Sequence, residues 1–252
     1  MSKQIREQIN RNPGIPTRAL QEELEQKLQV RVSWMKAFRA KQQANIDYKG
    51  DYHSQYELLR YYCEELRLQN PGTTVKIEVE RTHNPDDPTR QFKRIYICLG
   101  SLKSGFKACG RDLIGLDGAF MKGPYPGQVL TFVGVNSNNG IYPIAYAVVE
   151  VENRDSWTWF FEYLGDDFEL ATNSNFTFIT DIQKGLIQAI NNVFPTAEHR
   201  YCLKRIHENM KLHWRGRAYK DHLWRCATAT TKPQFAAAME AFKMMNVDAY
   251  NL

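Results

Sequence analysis

The 252-residue chain carries 33 Lys and Arg against 28 Asp and Glu, with 43% hydrophobic and 24% charged residues. Those proportions suit a globular protein with enough chain for a proper core, and they exclude wholesale disorder and a collagen-like repeat. No apolar run is long enough to span a membrane, and MSKQIREQINRNPGIP lacks the apolar stretch of a secretory signal.

Five cysteines, Cys63, Cys98, Cys109, Cys202 and Cys226, are odd in number, widely spread and form no CxxC. This pattern fits a reducing compartment, cytosol or nucleus, better than a disulfide framework. The net charge of +5 is uneven. Residues 1–50 hold ten Lys and Arg against five acids, and 199–225 hold eight against two, so the remainder is net acidic. Two basic stretches around an acidic middle suit a nucleic-acid partner held about a carboxylate site. Trp34, Phe38, Tyr201, Trp214, Tyr219 and Trp224 are interleaved with these charges, as in surfaces that stack on bases. The plainer alternative is a pair of solvated helix faces.

In chain order, TRALQEELEQKL places Leu20, Leu24 and Leu28 on one stripe and predicts a helix over 17–28, with Thr17 able to cap its first turn. Ser33 is a plausible N-cap for a second helix, WMKAFRAKQQANI, which displays Lys36, Arg39 and Lys41. The pair is a helix-turn-helix candidate or a plain helical hairpin. A third helix is expected over 52–70, stopped by Asn70-Pro71-Gly72. TTVKIEVERT alternates as a strand, HNPDDPTR reads as a turn-rich loop and QFKRIYICLG as a second strand, so 73–100 reads as a hairpin.

DLIGLDGAF, QVLTFVGVNS and GIYPIAYAVVEV are three further strands, the last two separated by the tight-turn signature Asn138-Asn139-Gly140. DSWTWFFEYLGDDF predicts a helix capped by Asp155 or Ser156, with Trp157, Phe160, Phe161 and Leu164 on its apolar face. FTFITD is a buried strand ending in Asp181, IQKGLIQAINNVF a helix, and AEHRYC a short strand. Beyond 203 the chain reads as helical, with Pro233 suited to the first turn of KPQFAAAMEAFKMMN.

Two acids attract attention. Asp117 lies inside an apolar run, where a carboxylate is expensive unless paired or metal-bound, and Asp181 ends a strand. Side by side at the centre of a sheet, the two would hold Mg²⁺. Each has an alternative: Asp117-Gly118 as a turn, and Asp181 as a cap for the helix that follows. The order strand–strand–strand–helix–strand–helix is similar to that of ribonuclease-H-like nucleotidyl transferases.

The segments GFKACGRDLIGLDGAFMKGPYPGQVLTFVGVNSNNGIYPIAYAVVEVENRDSWTWFFEYL and FTFITDIQKGLIQAINNVFPTAEHRYCLKRIHENM resemble the core of plant Mutator-like element (MULE) transposases. So does the upstream stretch from VRVSWMKAFRAKQQA to NPGTTVKIEVE, and the resemblance runs from about residue 28 to 252. It implies an α/β fold: an RNase-H-like mixed-sheet core over 110–202, preceded by a helical arm (1–72) and a β-hairpin lead-in (73–109). The start of a C-terminal helical insertion follows over 203–252.

The resemblance also implies DNA transposition by metal-dependent strand cleavage and transfer. Asp117 in GLDGAF and Asp181 in FITDIQKGL match the first two catalytic acids, as ligands of Mg²⁺ or Mn²⁺. The third acid, a Glu in an Asn-rich motif, has no match here, so this chain is expected to be inactive. The alternative is a domesticated or remnant DNA-binding or regulatory protein. The family's Cys-x-x-His pair is also altered, with CLKR placing Arg205 at the His position. Cys202 and His207 remain a weak zinc candidate, without the four well-spaced ligands of a structural site. Expected partners are DNA, as terminal inverted repeats or target, and a second copy of the chain, in the nucleus. Arg200, Lys204, Arg205, Lys211, Arg215, Arg217 and Lys220, with Lys36, Arg39 and Lys41, are the candidate DNA contacts.

Overall fold

The computed structural model describes residues 2–12, 14–49, 56–81, 90–109, 111–122, 125–170 and 175–251. The expected loop 83–90 (but for Arg90) and the first residues of the expected helix 52–70 lie outside them. The chain divides into two compact units, Met1–Leu66 and Arg67–Leu252.

The first unit contains α1 (Ser2–Arg11), α2 (Thr17–Leu28) and α3 (Trp34–Lys49). Ile5 and Ile9 of α1, Leu20 and Leu24 of α2, and Ala37, Ala40 and Ala44 of α3 make its core, with Val32 between. Small residues on α3 allow the close approach that this packing needs. The helix α1 was not foreseen: its apolar pair at i, i+4 is too short a stripe among charges to stand out. Pro16 rather than Thr17 holds the N-cap of α2, without a side-chain cap bond, and Ser33 Oγ accepts weakly from Lys36 N at 3.4 Å. The connection between α2 and α3 is pinned by α2 itself. Gln21 Nε2 donates to Val32 O at 2.8 Å, and Glu25 Oε1 accepts from Val32 N at 2.9 Å.

The second unit is built on a seven-stranded mixed sheet. After α4 (Leu59–Gln69), which begins before the unit boundary, come β1 (Thr74–Arg81), β2 (Arg90–Cys98) and α5 (Gly100–Cys109). Then follow β3 (Leu113–Met121), β4 (Gly127–Val135), β5 (Ile141–Val149), α6 (Arg154–Phe168), β6 (Thr177–Thr180), α7 (Lys184–Val193) and β7 (Glu198–Tyr201). The spatial order is β1-β2-β5-β4-β3-β6-β7. β3, β4 and β5 form an antiparallel meander, β6 runs parallel to β3 and β7 parallel to β6. The α/β class and mixed sheet are those expected, and the hairpin β1–β2 continues the same sheet through antiparallel pairing of β2 with β5.

Alternation along β4 buries Leu130 and Phe132, which meet Ile114 and Leu116 of β3, Ala145 and Ala147 of β5 and Phe178 of β6 in one core. The helix α6 lays Trp157, Phe160, Phe161, Leu164 and Phe168 into that core, and α7 adds Leu186, Ala189 and Ile190. Each of the larger buried side chains contributes roughly 1.5–3 kcal/mol of transfer free energy. The N-cap of α6 is Asn153, whose side chain accepts from Ser156 N at 2.9 Å, not Asp155 or Ser156 as expected.

The helix α5 occupies the end of the region 73–109 that was expected as a hairpin lead-in. Leu102 and Phe106 face one way, and the Phe106 ring meets Phe132, Phe168 and Phe176 at centroid distances of 5.9, 5.4 and 6.2 Å. Gly100 starts it because a Cβ there would lie 2.1 Å from Pro71 O. Asp167 of α6 ties the layers together, accepting from Thr74 Oγ1 (2.7 Å), Tyr96 OH (2.8 Å) and Lys103 Nζ (2.8 Å).

The remaining helices, α8 (Leu203–Met210), α9 (Arg217–Ala227), α10 (Lys232–Met245) and α11 (Val247–Tyr250), share a smaller core of Met210, Cys226, Ala238, Phe242 and Ala249. Thr231 caps α10, with Pro233 in its first turn as expected. Among the described residues no helix is long and apolar enough to cross a membrane.

Candidate functional site

The parallel pairing of β3 with β6 positions the acids. Leu113, Ile114 and Gly115 pair with Thr177, Phe178 and Ile179. Carried two residues further, that register sets Asp181 across from Asp117. Asp117 belongs to the strand and not to a turn, pairing with Thr131 of β4. It stands where β3 leaves the core: Leu116 before it is buried, while the Asp117 side chain is 55% exposed. The cost of a carboxylate in an apolar run is therefore not incurred, because the run surfaces at that residue. Asp181 directly follows β6, and its Oδ1 accepts from Gln183 N at 3.1 Å. The N-cap of α7 is Gln183 itself, with Oε1 accepting from Leu186 N, so Asp181 shapes the turn ahead of the cap.

A third carboxylate lies near enough to feel the charges of both acids. Glu152 lies between β5 and α6, and its Oε1 accepts from Trp157 Nε1 at 3.3 Å. Its backbone carbonyl accepts from Gln183 Nε2 at 3.2 Å, which links the loop before α6 to the start of α7. The carboxylate lies over Gly118, where an added Cβ would sit 2.5 Å from it. Burial raises the Glu152 carboxyl above its ordinary pKa of 4.5 against the pull of the Trp157 hydrogen bond, and the charges of Asp181 and Asp117 push the same way. Sequence reasoning passed over Glu152 because Glu150 and Asp155 flank it in an acid-rich turn. The available signal was the glycine next to Asp117.

Arg205 faces these acids from α8. Its Nη2 donates to both carboxylate oxygens of Asp117, at 2.9 and 2.8 Å. The charge and hydrogen bond of Asp117 raise the guanidinium pKa, with a further contribution from Asp181. α8 is aimed there by β7 and the turn after it, where Cys202 N donates to Thr180 O at 2.6 Å. His199, on β7, has a ring nitrogen 2.7 Å from the buried Thr180 hydroxyl, and burial lowers its pKa from 6.5.

Divalent-ion chemistry of the kind the sequence implied needs several oxygen ligands around one point. Among the described residues no group of three or more His, Cys, Asp and Glu converges in that way. Both oxygens of Asp117 already accept from a fixed cation. The residues as arranged do not fit a divalent cation. Among the described residues the zinc candidates gain no third ligand either: Cys202 is a free thiol at the N-cap of α8, and the His207 ring lies edge-on to Trp224 at 5.3 Å.

The candidate DNA contacts divide by environment. Arg200, Lys204, Lys211, Arg215, Arg217 and Lys220 are all exposed. Arg200 pairs with Glu198, Lys211 with Glu208 and Arg217 with Asp221, while the Lys220 ammonium sits 5.1 Å from the Trp224 ring. Arg205 turns its charge to Asp117 instead. On α3, Lys36 and Arg39 are exposed beside the stacked rings of Trp34 and Phe38. Lys41 is used within its own unit, donating from Nζ to Ile15 O at 2.5 Å.

Residues 113–209, from β3 through α8, match the family model for the MULE transposase domain. The chain is also similar to Protein FAR1-RELATED SEQUENCE 6 of Arabidopsis thaliana, with 24% identity over 149 residues. That alignment covers 59% of this chain and 20% of the relative, so the chain spans only a small part of that protein's length. The segment carrying Asp117, Glu152, Asp181 and Arg205 is the segment that resembles the MULE transposase domain.

Proposed function

We propose that this chain is a transposase-derived protein that binds DNA, in the nucleus, without cutting it. The observation that supports this most is the pairing of Arg205 with Asp117 beside the exposed bases of residues 199–225. Exposed Lys and Arg hold phosphates by charge and counter-ion release, which needs no metal and no base reading. Trp224 under Lys220 adds an aromatic surface of the kind on which unpaired bases stack.

The test is the salt dependence of duplex binding. Replacing Lys204, Arg215 and Lys220 together with Ala is expected to weaken binding to any duplex. The slope of log affinity against log salt should fall by about one per lost phosphate contact. Equal slopes for the triple variant and the wild type would show that these side chains are only a solvated face.

A second reading, metal-dependent strand cleavage and transfer with Mg²⁺ or Mn²⁺, draws on one observation: the parallel pairing of β3 with β6 sets Asp117 and Asp181 at one end of the sheet, close enough to Glu152 for their charges to act on it. It separates from the first by nicking of supercoiled DNA in Mn²⁺, which the first reading excludes.

A further inference from the structure

We propose that Arg205 is a tethered replacement for the divalent cation of a carboxylate site, and that it keeps such an ion out. The proposal rests on the non-cutting reading of these acids and is independent of whether the basic face binds DNA. Three features carry it. The guanidinium nitrogen reaches both oxygens of Asp117 at hydrogen-bond distance, so the lone pairs that would face an ion are already directed at a donor. The charge is permanent at any ordinary pH, since a guanidinium does not deprotonate, and Asp117 and Asp181 both favour it. The side chain is also delivered by the fold, since α8 starts directly after β7, the strand beside β6, and this fixes Arg205 close to the acids.

The competition is unequal. A tethered cation is present at high effective concentration, whereas a free ion must displace it and shed water to gain the same oxygens. An ion entering between Asp117 and Asp181 would also meet a positive charge a few ångströms away. Without the guanidinium, Asp117 would keep the repulsion of Asp181 and Glu152 with no positive charge to offset it, which favours uptake of a cation at Asp117. Arg205 is 47% exposed and its partner 55%, and exposed pairs of this kind stabilise folds little, so its removal leaves the fold standing.

The experiment titrates Mn²⁺ into the full chain and follows the free-ion signal by electron paramagnetic resonance, with melting temperature as a second readout. Wild type and Arg205→Gln are compared with the double variant Arg205→Gln/Asp117→Asn and with Arg205→His, which restores the residue type of the family pattern. Both single variants are expected to take up Mn²⁺ at least about tenfold more tightly than wild type, with a metal-dependent rise in melting temperature. The double variant should lose that gain. Identical Mn²⁺ titrations for wild type and both single variants, whether all bind or none does, would overturn the proposal. So would a gain that survives Asp117→Asn. DNA affinity and its salt slope, measured on the same samples, report separately on the basic face, so failure of one proposal is not read as failure of the other.

Discussion

Glu152 shows how a single side chain can be set by surroundings that its own sequence neighbours do not disclose. It is half-buried, holds the Trp157 indole, and shares space with two other acids. Its folded pKa is raised above the ordinary 4.5, so the fold favours its neutral form. The stability linked to this group is therefore fully present below about pH 4.5 and is lost as the pH rises through the folded value. Glu152→Gln keeps an amide oxygen for the indole and removes the charge. It is expected to melt higher than wild type at neutral pH, with the difference vanishing near pH 4, a comparison that thermal scans across pH will make. A constant difference across that range would show that the charge is not what matters. Asp117 and Asp181 were legible as a pair because strand order alone places them on neighbouring strands. The expected reason for Asp117, a costly buried acid, failed because periodicity does not show where a strand leaves the core. Arg205 was legible as a departure from a family pattern and as one of the basic residues of 199–225, but not as the partner of Asp117. Its partner lies 88 residues away in sequence, and no local pattern encodes that distance.

At the scale of elements, α6 carries most of the legible information. Trp157, Phe160, Phe161 and Leu164 recur at helical spacing, and all four are fully buried. Trp157→Ala should cost roughly 3–5 kcal/mol in urea unfolding, because the ring leaves a cavity among Phe160, Phe161 and the sheet. Its cap was misjudged by two or three residues, since Asn153, Asp155 and Ser156 are all good capping types and only backbone geometry selects among them. Asn153→Ala should cost about 1 kcal/mol, and Asp155→Ala less. The helix α5 could not be read from GSLKSGFKAC, whose two glycines speak against a helix; packing of Phe106 outweighs propensity. The Asp167 network is likewise assembled from β1, β2, α5 and α6 by tertiary structure. Asp167→Ala leaves the mostly buried Lys103 ammonium without its counter-charge and should cost on the order of 3 kcal/mol or more. A loss well under 1 kcal/mol in the same unfolding measurement would mean that the network does not tie these layers together.

Across the whole molecule, charge is distributed unevenly. Excess positive charge lies in the first unit and in α8 and α9, while the segments that intervene in sequence are net acidic. The segment that matches the MULE transposase domain contains both the carboxylates and the arginine that occupies one of them. Likeness to that domain therefore coexists with a site in which Arg205 is paired with Asp117. The most direct measurement incubates the purified chain with supercoiled DNA and Mn²⁺ and scores bound and nicked product from the same reaction. The expected result is salt-sensitive binding with no nicked product above a protein-free control. Metal-dependent nicking by the wild type that disappears in both Asp117→Asn and Asp181→Asn would contradict it.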